Sequence, residues 1–500
     1  MSVTVRLNHL VGVTGVVAVA LVAIAATVGG PTDQNEPVVG PVGTTVRPPA
    51  AAVDVLATRT PAQSSVELSR RLFDTSPVAV LAAADDPEAQ RVAIASATSL
   101  GVPVLVDTPQ APAELDRLKA DTVLTFGRTQ TVPGARPVPA TDDGAASVVA
   151  ELLGDTGPAQ KRSTDTIVLT RSVEANAAAV TTARIAGATV LELPDADPRA
   201  HPREAAVLAG RPDSPVIAIG TPFTHLAYTL DVVRRDIQQP TGGYLALGKH
   251  YTAMYGHPGA PQLGVLGEQG VKASVKRVER LVRKYERVSK AEFVPTFEII
   301  ATVASSSPGK DKDYSTEASI RSLAPLVDAA EKAGIYVVLD LQPGRTDFLT
   351  QAKRYRPLLA RPHVGLALDP EWRLTSKQKH LVQIGSVGAD EINRTSRWLA
   401  DLTKQKRLPQ KIFVLHQFAT SMIKDRSRLD TSRPELATVI HVDGSGPQGA
   451  KQDTWRVLRQ DAPPGVGWGW KNFVDEDDPM LTARQTWRQV RPHPDLVTYQ

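Results

Sequence analysis

The segment Gly365-Leu366-Ala367-Leu368-Asp369-Pro370-Glu371-Trp372 runs from four small apolar positions straight into two carboxylates two residues apart. A short apolar run that stops at charge reads as a buried strand whose end opens onto solvent. The same unit recurs beyond Pro240. Eight strand candidates cover 244–247, 293–303, 335–341, 364–368, 411–416, 437–442, 466–470 and 495–499, and most precede a helical stretch. The clearest helix follows the first. Val271, Val275, Val278, Val282 and Tyr285 form one apolar stripe, with Lys272, Lys276, Arg277, Arg280, Arg283 and Lys284 around it. Further helices fit 316–333, 348–360, 389–406, 449–459 and 481–490. Eight β/α periods over residues 236–500 predict a (β/α)8 barrel.

In that fold chemistry gathers where strands pass into the following loops. The strand ends offer Lys249, His250 and Tyr251 from the first, with Glu298 inside the second. The third gives Asp340 and Gln342, the fourth Asp369, Glu371 and Trp372. The fifth gives His416 and Gln417, the sixth His441 and Asp443. The seventh gives Trp468, Trp470 and Lys471, and the eighth Tyr499 and Gln500. On a strand, residues i and i+2 share a face, so Asp369 and Glu371 are expected to enter one space. Two close carboxylates resist joint ionisation, which keeps a proton on one. A protonated acid beside a charged partner is what cleavage of a glycosidic bond requires, and tryptophans suit stacking on sugar rings.

The Asp369–Glu371 segment resembles the fourth-strand D-x-E motif of barrel glycoside hydrolases, in particular families 18 (chitinase-like) and 25 (lysozyme-like). The resemblance implies that Glu371 is the general acid and Asp369 its assistant. Family 18 writes D-x-x-D-x-D-x-E; the first two places hold Val364 and Ala367 here. Asp443 is the candidate second essential carboxylate, with Asp340 its rival. Gln342, Trp372, His250, Tyr251, His416, Gln417, Trp468, Trp470, Lys471 and Tyr499 are the candidate substrate ligands. His416 and His441 also suggest a metal-dependent amidohydrolase, but the first strand lacks His-x-His, so no metal and no cofactor is expected. A G-x-S-x-G nucleophile elbow is absent.

Upstream, residues 63–235 alternate short strands with helices, at 77–82, 102–106, 122–127, 166–170, 188–192 and 215–220, which implies βαβ units on a parallel sheet. No glycine-rich phosphate loop occurs at any strand-to-helix turn. The segment 89–127, with Leu100-Gly101-Val102-Pro103-Val104-Leu105-Val106 and Val123-Leu124-Thr125-Phe126-Gly127, resembles the type 2 cell-wall-binding repeat of Gram-positive exported proteins. That resemblance implies contact with wall polymer.

Arg6 precedes an uncharged, Val- and Ala-rich run over residues 10–30, which reads as a secretory signal with Ala23-Ile24-Ala25 as a cleavage signature. The run is also long enough to serve as an uncleaved membrane anchor. Residues 31–62, rich in Pro, Gly and Thr, read as a linker. The chain has 500 residues, with 42% hydrophobic and 22% charged, so it is folded and of more than one domain. Cysteine is absent, which removes disulfides and Cys-based catalysis. A net charge of +4 does not argue for nucleic acid. The expectation is an extracytoplasmic α/β protein whose barrel hydrolyses an envelope polysaccharide. Its rival is a non-catalytic wall-binding protein on a degenerate barrel, favoured by Val364 and Ala367.

Overall fold

The structure is a computed structural model that describes residues 43–155, 162, 164–379 and 382–500. The run at 10–30 expected to be a signal or anchor, and the first part of the expected linker, lie outside the described residues. Among the described residues no helix is long and apolar enough to cross a membrane.

Two four-stranded sheets build the N-terminal region. One runs Val53–Leu56, Val216–Ile219, Ile167–Thr170, Thr189–Glu192; the other runs Val104–Val106, Val78–Ala82, Thr122–Phe126, Ala135–Val138. Every pairing in both is parallel. Helix Pro87–Leu100 shows how local chemistry sets the element ends. Asp86 accepts from the Ala89 N–H at 2.9 Å, Pro87 opens the first turn, and Gly101 closes the helix at φ 65°. Helix Pro61–Leu72 packs against strand Val104–Val106 and helix Ala177–Ile185. Its inner face carries Ser64, Ser65 and Ser69, small enough for close approach, and Ser65 Oγ accepts from the Val106 N–H at 2.9 Å.

The expected linker is shorter than its composition suggested. Thr45–Val46 already pairs with Phe73–Thr75, and Val53–Leu56 is an edge strand of the first sheet. Proline and glycine dilute the apolar signal there, and an edge strand of four residues shows little periodicity.

The second unit is a closed parallel barrel. Its strands are β1 His250–Gly256, β2 Phe293–Ala304, β3 Tyr336–Leu341, β4 Val364–Leu368, β5 Lys411–His416, β6 Leu436–Val442, β7 Gly467–Asn472 and β8 Leu496–Tyr499. They pair in order, and β8 returns to β1 through Tyr251 and Leu496. Helices α1 Val271–Glu286, α2 Ile320–Lys332, α3 Phe348–Arg354, α4 Ala389–Lys406, α5 Gln448–Leu458 and α6 Ala483–Gln489 follow strands one, two, three, four, six and seven. After β5 the chain makes short 3-10 turns instead. Strand residues alternate. Val337, Leu339, Leu366, Leu368, Phe413, Leu415, Trp470 and Val497 face the helices, while Tyr251, Ala253, Val294, Tyr336, Val338, Ala367, Val414 and Val439 fill the interior.

The first strand differs from the expected 244–247. That run is apolar because it closes the bottom of the barrel. Ala246 joins the interior cluster, and Tyr244 belongs to the core of the N-terminal region. Gln410 ties it down: its N–H donates to Tyr244 O at 2.9 Å, and its Oε1 accepts from the Ala246 N–H at 3.1 Å. Tyr228 Oη donates to Leu408 O at 2.9 Å, and Arg199 Nη1 to Pro434 O at 2.8 Å. Leu408, Gln410 and Pro434 precede β5 and β6, so the N-terminal region docks on the bottom of the barrel and leaves the opposite end open.

Lys411 begins β5 fully buried, its Nζ donating to Arg361 O at 2.6 Å and Val364 O at 2.7 Å. Burial lowers its pKa to about 7. The unfolded chain holds this proton to about 10.4. Between those values the unfolded state binds more protons, so stability rises with pH. Lys411→Met is expected to remove that rise, a difference of up to about 1.4 kcal/mol per pH unit against the parent in urea unfolding at pH 7 to 10. Parallel curves would contradict this placement of the lysine.

Candidate active site

Each strand sends one polar side chain into the upper layer of the barrel: Tyr255, Glu298, Asp340, Asp369 just after β4, His416, His441, Lys471 and Thr498. They share the inward parity of the apolar interior residues, two to four positions further along each strand. All are buried. Tyr255 pairs in register with Glu298, His416 with His441, and Lys471 with Thr498. Asp443 and Glu371, on the loops just past β6 and β4, stand over this layer. The open end of the barrel therefore holds five carboxylates, where the fold places chemistry.

His416 organises them. Its Nδ1 lies 2.8 Å from Asp443 Oδ2 and its Nε2 2.8 Å from Glu298 Oε1. Asp340 Oδ1 is 3.9 Å from the same Nε2. Burial opposes charge on the imidazole, but the carboxylates of Glu298 and Asp443 outweigh it and hold the pKa of His416 well above the histidine range. An imidazolium with both N–H groups donating to carboxylates results. Burial would likewise raise Glu298 and Asp443, yet the charge and hydrogen bond of His416 pull both below the carboxylate range.

The remaining carboxyls lack such a partner. Burial, then the neighbouring Glu298 charge, raises Asp340 to about 6, and Tyr255 Oη donates to its Oδ2 at 2.8 Å. Burial pushes Asp369 well above its ordinary value, with Asp340, Asp443 and Glu371 adding to the shift. Burial and the charge of Asp443 raise Glu371 to about 7. Lys471 Nζ lies 3.6 Å from the centre of the Tyr255 ring, and its charge restrains the rise of Glu371 and Asp340. His441, its ring 4.8 Å from that of His416, is held neutral by burial, at about 3. Gly469 on β7 makes room for it: a Cβ there would stand 2.3 Å from His441 Cδ2.

Asp369 and Glu371 meet in one space for a reason other than strand alternation. The strand stops at Leu368, and Pro370–Trp372 is a 3-10 turn capped by Asp369, whose carboxylate accepts from the Glu371 N–H at 3.1 Å. The turn lifts Glu371 to the lip, with Trp372 partly buried beside it. Gln342 also belongs to the mouth, its Nε2 3.4 Å from Tyr255 Oη. Gln417 is adjacent but engaged, with Ala419 O at 3.1 Å and Arg426 Nη1 at 3.2 Å.

Five expected ligands lie elsewhere. Tyr251 points inward but at the bottom, its ring 5.3 Å from Tyr336. His250 packs outside the barrel, 4.8 Å from the Trp487 ring. Trp468 and Trp470 face α5, stacking edgewise on Trp455 at 5.9 and 5.8 Å. Tyr499 bonds Tyr285 of α1, hydroxyl to hydroxyl, at 2.7 Å. The first two follow from the displaced β1. The other three have outward parity, opposite to Lys471 and Thr498. The expected set lacked Tyr255 and Thr498 entirely, and it named Glu298 and His441 without choosing them.

Removal of the His416 charge would leave Glu298 and Asp443 buried without a hydrogen-bonded counter-ion. His416→Gln is expected to cost about 3–5 kcal/mol in urea unfolding at neutral pH. An unchanged midpoint would show that the two carboxylates do not depend on it.

No protein-family model matches the chain, and comparison with curated proteins finds no match. The structure itself shows the architecture, a parallel α/β region followed by a closed eight-stranded barrel.

Proposed function

We propose that the barrel hydrolyses glycosidic bonds of an envelope polysaccharide, with Glu371 as general acid and Asp443 as the ionised carboxylate facing it. The observation that carries this reading is the unequal provision for the two groups. Asp443 holds the His416 imidazolium at 2.8 Å, whereas Glu371 stands at the lip of a buried acidic mouth, raised towards neutrality by burial and by Asp443 itself. Two carboxyls whose surroundings separate their proton affinities are the acid and base pair that glycoside cleavage uses.

In this mechanism Glu371 gives its proton to the leaving glycosidic oxygen as the glycosidic bond breaks, and a water that adds to the anomeric carbon returns a proton to the site. Asp443 meets the positive charge that develops at the anomeric carbon, through the Oδ1 that makes no hydrogen bond in the protein. His416 keeps Asp443 ionised and fixed. Asp369 caps the turn that carries Glu371. Gln342, beside Tyr255, offers a polar contact for sugar hydroxyls, and Trp372 an aromatic surface on the rim. The apolar run at 10–30, read as an export signal or anchor, and the repeat-like segment 89–127 support a substrate outside the membrane.

Purified wall glycans incubated with the chain lacking residues 1–42 should release reducing ends. Glu371→Gln is expected to lower release by about 10²–10⁴-fold. Activity should fall as pH rises through about 7, because the acid must hold its proton. Glycan binding with no release at any pH would instead favour a non-catalytic envelope-binding protein.

A further inference from the structure

Among the described residues, several buried polar atoms make no hydrogen bond, and four of them belong to this one mouth: Glu298 Oε2, Asp340 Oδ1, His441 Nδ1 and Asp443 Oδ1. A buried acceptor left without a partner is costly, and four in one place point to a ligand. Asp443 Oδ1 faces the proposed substrate. The other three lie deeper, where hydrolysis by Glu371 and Asp443 has no use for them.

We propose that the floor of the mouth binds one divalent first-row cation of the zinc type through Glu298, Asp340, His416 and His441. One ligating atom from each of Glu298, His416 and His441 lies within 4.8 Å of the other two. Asp340 Oδ1 stands 3.9 Å from His416 Nε2. Tetrahedral donors bound at about 2.0–2.2 Å lie about 3.3–3.6 Å apart, so closure draws these atoms together by up to about 1.5 Å. Two imidazoles and two carboxylates suit zinc, or manganese and cobalt, better than calcium or magnesium, which prefer oxygen alone.

The surroundings match what a metal site requires of its outer partners. His416 Nδ1 is fixed by Asp443 at 2.8 Å, which leaves Nε2 to ligate. His441 Nε2 is 3.1 Å from Thr498 Oγ1, which leaves Nδ1. Tyr255 Oη holds Asp340 Oδ2 at 2.8 Å, which leaves Oδ1. His441 and Asp340 each have one atom anchored and one turned free, while His416 Nε2 would exchange its 2.8 Å bond to Glu298 Oε1 for the cation. On binding, the His416 Nε2 proton passes to solvent, and Nδ1 keeps its bond to Asp443. Asp443 therefore stays ionised with or without the cation. The inference does not depend on Glu371 or on glycan cleavage.

A second acidic group, Asp311, Asp313 and Glu317, lies on the loop after β2. It is the natural control, being more open and close to Arg354, whose Nη2 is 3.4 Å from Glu317. The protein would be stripped with chelator, dialysed against micromolar Zn2+ and analysed for bound metal. One equivalent per chain is expected for the parent, for Asp313→Asn and for Glu371→Gln. Glu298→Gln and His441→Gln should bind at least tenfold more weakly. Because a core variant can fail to fold, the parent would also be loaded with Co2+. Visible bands of a low-symmetry site with nitrogen ligands are expected. No retained Zn2+ and no such Co2+ spectrum in the parent would overturn the proposal, as would loss of the metal in Asp313→Asn alone. Retained metal in Glu371→Gln with no glycan cleavage by the parent would leave the cation site standing and remove the hydrolase reading.

Discussion

The hydrogen bonds from the His416 imidazole to Asp443 and Glu298 make the rest of the mouth possible. Five carboxyl groups at one end of a buried barrel cannot all carry charge in a low-dielectric interior. One internal cation settles which of them do. Glu298 and Asp443 touch it and stay ionised, and their charge then falls on Asp340, Asp369 and Glu371, which hold protons more strongly. Lys471 limits that effect from the other side. The difference between Asp443 and Glu371, on which the proposed chemistry rests, is thus a property of the whole layer.

The scaffold supplies this layer by parity. The strands place mainly apolar side chains, Tyr251 and Tyr336 among them, in the lower barrel and one polar group each at the top, while alternate residues pack against the helices. The N-terminal region seals the opposite end through Tyr244, Ala246 and Gln410. The acidic groups thereby gather at one open face, and below it Lys411 and Tyr336 are bonded to main chain. Gly469 shows how closely the layer is fitted, since a methyl group there would displace the His441 ring.

Much of this was legible in sequence. Seven of the eight barrel strands begin and end within a few residues of where apolar runs meet charge, because buried parallel strands are apolar on both faces and their ends are not. The Asp369–Glu371 pair, Asp340, His416, Asp443 and Lys471 were recognisable as strand ends. What was not legible was direction. Trp468, Trp470 and Tyr499 occupy strand ends but face the helices, and a list of strand ends without parity admits them. The run at 244–247 is apolar for a different purpose, and taking it as a strand moved His250 and Tyr251 to the wrong end and hid Tyr255. Strand 53–56 was lost in proline-rich sequence because its partners are distant in the chain.

The central claim is that His416 is a buried imidazolium shared by two carboxylates. Side-chain 15N NMR of metal-free protein labelled at histidine tests it most directly. The account predicts that both ring nitrogens of His416 remain protonated from pH 6 through pH 8, with its signals assigned by their loss in His416→Gln. A neutral tautomer at pH 7, with one nitrogen carrying no proton, would contradict it.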